Sequence, residues 1–514
     1  MTASAEPVQQ RYLRLAQAIE DRFEVVGWRS GDVDLWPPAR MDLFLDMFRA
    51  RGGDTAQPAP ALPLRLAGSL ATPLTNAWKS RRDPSHRLPR PKPAAAILLG
   101  DGVSLDQISG AWRDRHGGAV MEALDRQGRA TFLMQPGPLD RLPWARPTYA
   151  ANVIAVRGAI SAALGRNRPV ELPDHRGVLE FLQSEGVDAP SLARPRLEKR
   201  ARSLAATARE FQTVLHAVKP QLAFAVTSYA GLGHAFALAC RREGILSIDL
   251  QHCPQEGSHR AYRWSRLPER GFSTLPAVFW TWSLEDAAHI AAWADDSAAP
   301  WHRAIWGGHA QLAPFLDDQD PATRLWDERF AAVGDATAFD REILVALQPI
   351  GGRRATWEAL AGQIEGAPAR WRWWIRRHPA STGFQDAEYA RLLALRLPNV
   401  VIEEASARPL PALLRRMSAL VSLASGAAAE AAAFGVPAFF LDGEARGTFA
   451  GLIQRGQADV IGVSDIVPRI AHLPAHLFRP AGAPAPPIEA TLRRLDEMAA
   501  DYGRLCRSER NGAG

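Results

Sequence analysis

The sequence is poor in the residues that build covalent or metal frameworks. Only three cysteines occur in 514 residues, Cys240, Cys253 and Cys506, too few and too scattered for a disulfide scaffold or a zinc cage. Their scarcity fits a reducing compartment, so a cytoplasmic location is expected. Lysine is almost missing. Of 61 Lys and Arg, only Lys79, Lys92, Lys199 and Lys219 are lysine. No stretch reaches the ~18 apolar residues of a membrane span, and the opening MTASAEPVQQRYLRL lacks the apolar segment of a secretion signal. Zinc-ligand spacing, a Walker loop and a Gly-x-Ser-x-Gly elbow are likewise missing. The formal charge is only +6 over the whole chain, too small a bias to call for nucleic acid.

What remains is globular. Apolar residues make up 47% and charged residues 23%, and the length suits two or three domains. Residues 6–22 and 40–50 read as helices around a Trp-Pro-Pro turn at 36–38. The run at 79–93 (KSRRDPSHRLPRPKP), with six cations and four prolines, reads as an exposed linker. From Ala94 short apolar runs alternate with helical patterns. Strands are predicted at 95–100, 130–135, 222–227, 245–251, 277–282 and 303–308, then at 343–348, 372–376, 399–404, 419–424 and 437–442. Helices are predicted over much of 176–218 and at 354–365, 385–396, 409–416, 426–434, 447–455 and 487–507. The expected fold class is α/β, two Rossmann-like domains facing a cleft, with an α-rich N-terminal extension. The expected division is 1–93 extension and linker, 94–320 first domain, 321–486 second domain, and 487–514 a closing helix and tail.

Three places carry chemistry. At 422–437 (SLASGAAAEAAAFGVP) a strand runs into a helix of small residues. Ser425 and Gly426 could receive a phosphate there, with Glu430 accepting from ribose hydroxyls. An ordinary helix cap explains Ser425-Gly426 equally well. Arg376-Arg377-His378-Pro379 ends another strand, where Arg376 could grip a phosphate and His378 could assist its departure. A lone histidine is more often structural. Gln251-His252-Cys253, with His259 and Tyr262 downstream, ends a third strand, and His252 is the candidate base. The neighbouring Cys253 carries no sign of an activated thiol. Asp101 is a second candidate base or simply the Asp of an Asp-Gly turn. Gly231-Leu232-Gly233 lacks the third glycine of a dinucleotide fingerprint and reads as a tight turn. Trp371, Trp373 and Trp374 read as core.

In this order the motifs resemble a known family. ACRREGILSIDLQH (239–252), Ser258-His259, Tyr262, ILVALQ (343–348), WIRRHP (374–379) and SLASGAAAEAAAFGVP (422–437) look like GT-B glycosyltransferases of bacterial capsule and lipopolysaccharide assembly carrying Gln-His-Gly, His-Pro and Ser motifs. The similarity covers about residues 220–460. It implies a second domain holding a nucleotide sugar through Arg376, Ser425, Gly426 and Glu430, with His378 assisting the leaving group. It implies a first domain holding a glycan or lipid-linked acceptor, with His252 as base and His259 and Tyr262 on the acceptor side. The family's glycine after the motif histidine is Cys253 here. Inversion without a metal or cofactor is the expected course, Arg, His and the helix start taking the negative charge. Association with the inner membrane or an assembly machinery is left open by the basic run. Two other readings stay open: a non-hydrolysing sugar-nucleotide 2-epimerase, and a degenerate GT-B scaffold.

Overall fold

The computed structural model describes residues 6–51, 90–108, 111–136, 145–165, 169–255, 259–294, 300–332, 339–348, 351–378, 386–474 and 485–512. Most of the basic run at 79–93 lies outside them, as do Ser258, Pro379 and the start of the Pro-rich stretch before the last helix. The chain divides into two compact units. Unit 1 comprises Met1–Gly102, Ala111–Ala310 and Ala485–Gly514, and unit 2 comprises Val103–Gly110 and Gln311–Pro484.

Unit 1 is built on β1 (Ala96–Leu99), β2 (Thr131–Gln135), β3 (Thr148–Ala150), β4 (Leu222–Val226), β5 (Leu246–Leu250), β6 (Val278–Thr281) and β7 (Arg303–Trp306). All neighbours are parallel, in the order β3-β2-β1-β4-β5-β6-β7. A parallel sheet covered on both faces needs continuous apolar strands, which is why AILL and LAFAV stand out as runs and not as alternations. Successive side chains still point to opposite faces. Ile97, Leu99, Ala223 and Ala225 join one core, while Ala96, Leu98, Leu222, Phe224 and Val226 join the other.

The first core is covered by helices Arg194–Val218 and Gly231–Glu243 and by the N-terminal helices Val8–Arg22 and Trp36–Arg51. The N-terminal helices therefore share the core of unit 1. Gly231-Leu232-Gly233 is a tight strand-to-helix turn, because a Cβ on Gly233 would stand 2.4 Å from the Ser228 carbonyl oxygen. The second core is closed by Gly118–Arg126 and by Ile488–Gly512, whose Leu492, Leu495 and Cys506 are buried in it.

Unit 2 repeats the plan with β8 (Arg341–Ala346), β9 (Trp371–Arg376), β10 (Val400–Val401), β11 (Ala419–Ser422), β12 (Ala438–Phe440) and β13 (Ala458–Val460). Their order is β10-β9-β8-β11-β12-β13, again all parallel. Trp373 and Trp374 are fully buried on opposite faces. The Trp374 indole donates to Glu342, which also pairs with buried Arg372.

Four expectations change, the first being the helix expected at 385–396, which among the described residues is reduced to Ala390–Leu393. Trp36, Pro37 and Pro38 are the first turn of a helix, where proline costs no intrahelical hydrogen bond. The strand expected at 399–404 is only the edge pair Val400–Val401, and the chain turns into helix Glu403–Ala407. The helix expected at 447–455 is split into Ala445–Thr448 and Ala450–Gln454. The edge strands β3 and β13, three residues each, escape the pattern altogether.

Candidate active site

Doubly wound sheets of this order bind ligands outside the carboxyl ends of their strands, at the point where the order reverses. That point lies between β1 and β4 in unit 1 and between β8 and β11 in unit 2.

In unit 1 the chain leaves β1 through Gly100-Asp101-Gly102. Gly102 has φ +74° and a Cβ there would stand 2.2 Å from the Pro136 carbonyl oxygen, so the turn requires glycine. Its N–H donates to Gln135 Oε1 at 3.0 Å, and Gln135 Nε2 donates to Asp114 Oδ2 at 2.5 Å. Asp101 is thus a turn residue whose position is braced, and its negative charge acts on Asp114, Tyr229 and His252.

His252 follows β5, and its Nε2 lies 2.9 Å from the hydroxyl of Tyr229, which follows β4. Burial pushes the imidazole down to about 4, with Asp101 pulling it up and Arg260 pushing it further down. A ring that is neutral at pH 7 can accept a proton. Cys253 Sγ is 3.8 Å from the same nitrogen, but burial raises its thiol to about 12, which leaves no thiolate to act as nucleophile.

Tyr262 and His259, expected on the acceptor side, are both buried. The Tyr262 hydroxyl donates to Asp249 Oδ2 at 2.8 Å, and His259 Nδ1 accepts from the Ala261 N–H at 3.2 Å. Both rings pack against Tyr229, with centroids 5.9 and 5.4 Å away. Their place is to hold the partner of His252.

Four residues outside the sequence motifs join this region. His116 lies 6.0 Å from His252 between ring centroids, Trp282 stacks on His309 at 4.1 Å, and Tyr229 is the direct hydrogen-bond partner. A histidine flanked by paired glycines, as in His116-Gly117-Gly118 and Gly307-Gly308-His309, was the available signal.

In unit 2 the Gln348 side chain spans the reversal point. Its Nε2 donates to the Ala424 carbonyl at 2.9 Å and its Oε1 accepts from the Ala424 N–H at 2.7 Å. Ser425 Oγ accepts from the Ala427 N–H at 3.3 Å, just ahead of helix Ala427–Ala433, whose N-cap is Gly426. Gly426 has an ordinary helical φ of −57°, so its small size and not its flexibility is what an approaching group would use. Glu430 is buried in that helix.

Arg376 is also buried, and its Nη1 donates to the carbonyls of Ala405 and Arg408, with Nη2 3.8 Å from Asp106. That guanidinium fastens a loop, which differs from the phosphate grip expected of it. His378 follows β9 and is half-buried. On the next strand's end, Arg353 pairs with Asp442 at 2.8 Å. Among the described residues no group of three His, Cys, Asp or Glu side chains is placed to hold a metal ion, and no helix is long and apolar enough to cross a membrane.

No family model and no curated protein matches the chain. Solved structures do resemble it. The UDP-GlcNAc 2-epimerase of Methanocaldococcus jannaschii is 11% identical, covering 78% of this chain and 99% of its own, with a TM-score of 0.45. That of Neisseria meningitidis, bound to UDP-GlcNAc, is 11% identical over 81% and 99%, with a TM-score of 0.44. The glycosyltransferase SnogD of Streptomyces nogalater is 12% identical over 81% and 95%, with a TM-score of 0.37.

The buried imidazoles set the acid response. His116, His234, His252, His259, His302 and His309 are all pushed below the ordinary histidine range by burial. Below pH ~6.5 the unfolded chain binds their protons and the folded chain does not, so stability falls as pH drops towards 4. Asp34, Asp114 and Asp249 are raised by burial and act in the opposite sense. Six groups outweigh three. Circular-dichroism melts should show Tm falling by several degrees from pH 6.5 to 4.5, and a level Tm would contradict these burial effects.

Proposed function

We propose that the chain is a GT-B-type glycosyltransferase that moves a sugar from a nucleotide-activated donor to a glycan acceptor in bacterial surface-polysaccharide assembly. The observation that carries the reading is the His252 imidazole, neutral, held by Tyr229 and set at the carboxyl end of β5. Its motif, and the His-Pro and Ser motifs at strand ends of unit 2, stand in the order of the family the sequence resembles.

In this reading the donor lies on unit 2, its phosphate at Ser425 and Gly426 and its ribose at Glu430. Arg376 keeps the neighbouring loop in place. The acceptor hydroxyl gives its proton to His252, and its oxygen bonds to the anomeric carbon. The bond from that carbon to the phosphate oxygen breaks, and the electron pair leaves with the nucleotide. His378 hydrogen-bonds that departing oxygen, and the configuration of the sugar inverts. Asp101 supports His252 by raising its basicity.

A thermal-shift panel of CMP, UDP, GDP, dTDP and CDP tests the donor half. A nucleotide at about 100 times its Kd adds ~2.7 kcal/mol, so one should stand out. A level panel removes the reading. Conversion of a nucleotide sugar alone into its 2-epimer, without an acceptor, replaces it with an epimerase.

A further inference from the structure

We infer that His116, Trp282 and His309 form a binding site in unit 1 for an uncharged, hydroxyl-bearing sugar ring. The three come from separate parts of the chain. His116 precedes helix Gly118–Arg126, Trp282 follows β6, and His309 follows β7. Centroids of His116 and Trp282 are 6.3 Å apart with planes 23° from parallel, and those of Trp282 and His309 are 4.1 Å apart at 27°. His116 to His309 is 6.3 Å.

Two of these rings present unused hydrogen-bonding atoms. His116 is only 8% exposed, and its Nδ1 has no partner among the described residues. His309 Nε2 has none either. Leaving such an atom buried and unbonded costs about 1–3 kcal/mol, and folded proteins seldom leave it so. Two such atoms in one aromatic cluster call for a polar guest. Trp282 and His309 keep part of their surface open, so a guest can reach them.

The chemistry of the guest follows from the charge state. Burial keeps both imidazoles neutral, with His309 pushed down to about 3. A neutral imidazole offers one donor and one acceptor, which is what a hydroxyl group also offers. A hydroxyl can meet the single unused nitrogen of each ring whichever tautomer is present, whereas a phosphate or carboxylate would be buried against two neutral rings with no opposite charge from them. The stacked Trp282–His309 face supplies the flat apolar surface that the C–H side of a sugar ring covers.

The walls are fixed in advance. Asp114 Oδ1 accepts from the N–H groups of His116 and Gly117 at 3.1 and 2.7 Å. Gln251 Oε1 accepts from the Trp282 N–H at 2.6 Å, while its Nε2 donates to Asp286 at 2.8 Å. Gly308, at φ +74°, turns the chain so that His309 meets Trp282, and a Cβ there would strike the Ala485 side chain at 2.3 Å. Such preorganisation lowers the ordering cost of binding. With His252 6.0 Å from His116, a ring hydroxyl bound here stands beside the base, and as an acceptor site the inference rests on the transferase reading.

The test uses the full chain. Imidazole Cε1–H NMR signals of His116 and His309, assigned with His116→Gln and His309→Gln, are followed while probes are added. The probes are the methyl glycosides of glucose, galactose, mannose and N-acetylglucosamine, then methyl glucuronide and inorganic phosphate. At least one neutral glycoside should shift both signals, and Trp282→Ala should weaken that binding about tenfold, equivalent to ~1.4 kcal/mol. A Trp282→Phe variant, which keeps a flat ring, should retain most of it. Silence across the neutral panel overturns the inference, as does a larger response to phosphate or glucuronide. The nucleotide panel separates the two claims. Nucleotide binding with silent glycosides removes only this site, and responsive glycosides with no nucleotide binding remove only the transferase reading.

Discussion

Replacing His252 with alanine is expected to lower sugar transfer by about 10²–10⁴-fold, the usual worth of a positioned general base. The nucleotide-induced rise in Tm should stay unchanged, because the motifs proposed to hold the donor belong to unit 2. The pH profile adds a second readout. An imidazole at about 4 stays unprotonated through neutral pH, so kcat should hold level from pH 8 to about 5.5 and fall below that. Asp101→Asn removes the charge that raises the ring's basicity, so it should lower the rate by a smaller factor and move the acid limb to lower pH. Tyr229→Phe removes the hydroxyl 2.9 Å from Nε2 and should lower kcat more than it changes the apparent affinity for donor. If His252→Ala retains near-native transfer, the base lies elsewhere.

The largest loss of stability is expected from Glu20→Ala. Glu20 is 1% exposed and accepts from Arg40 Nη1 at 2.7 Å and from the Trp36 indole at 3.0 Å. Its other oxygen accepts from the N–H and hydroxyl of Ser265 at 2.8 and 2.9 Å. Arg40 lies over the Trp264 ring, 4.1 Å from the centroid, and is itself buried. Removing the carboxylate leaves a buried guanidinium uncompensated, and breaking a buried pair in this way costs ~3–5 kcal/mol. The double variant Glu20→Leu with Arg40→Met should recover most of that, because it removes both charges and keeps the volume. Denaturant unfolding monitored by tryptophan fluorescence measures both. A loss below about 1 kcal/mol, the range of an exposed pair, would show that the N-terminal helices contribute little to unit 1.

The strands were legible where the physics forces a signature. β1 and β4 are buried on both faces, so each is a run of apolar residues, and β8 carries the same signature over Ile343–Ala346. The edge strands lack that constraint. Thr148–Ala150 and Ala458–Val460 are covered less and are too short to show any period. Trp-Pro-Pro at 36–38 misled because proline marks turns and helix starts alike.

For the site, the residues ending long strands could be named, since strand ends are where doubly wound sheets bind. What each side chain does there could not. Arg376 looks in sequence like a phosphate ligand, yet the bonds of its Nη1 go to backbone carbonyls. Tyr229 meets His252 across 23 residues through the pairing of β4 with β5, and no spacing rule encodes that. His116 lies in the connection from β1 to β2 and His309 follows β7, so their meeting is a product of the folded sheet and not of any sequence spacing.

The position of Ile488–Gly512 has a consequence for synthesis. Leu492, Leu495 and Cys506 belong to the core behind β4 and β5, but unit 2 is translated first. At ~5–20 residues per second the ribosome takes roughly 10–35 s to pass from β7 to that helix. Throughout that interval the part of that sheet face not covered by Gly118–Arg126 lacks its closing helix while unit 2 folds as an insertion. Apolar surface exposed in this way favours aggregation until helix Ile488–Gly512 emerges, and the two units mature in the reverse of the order in which they begin.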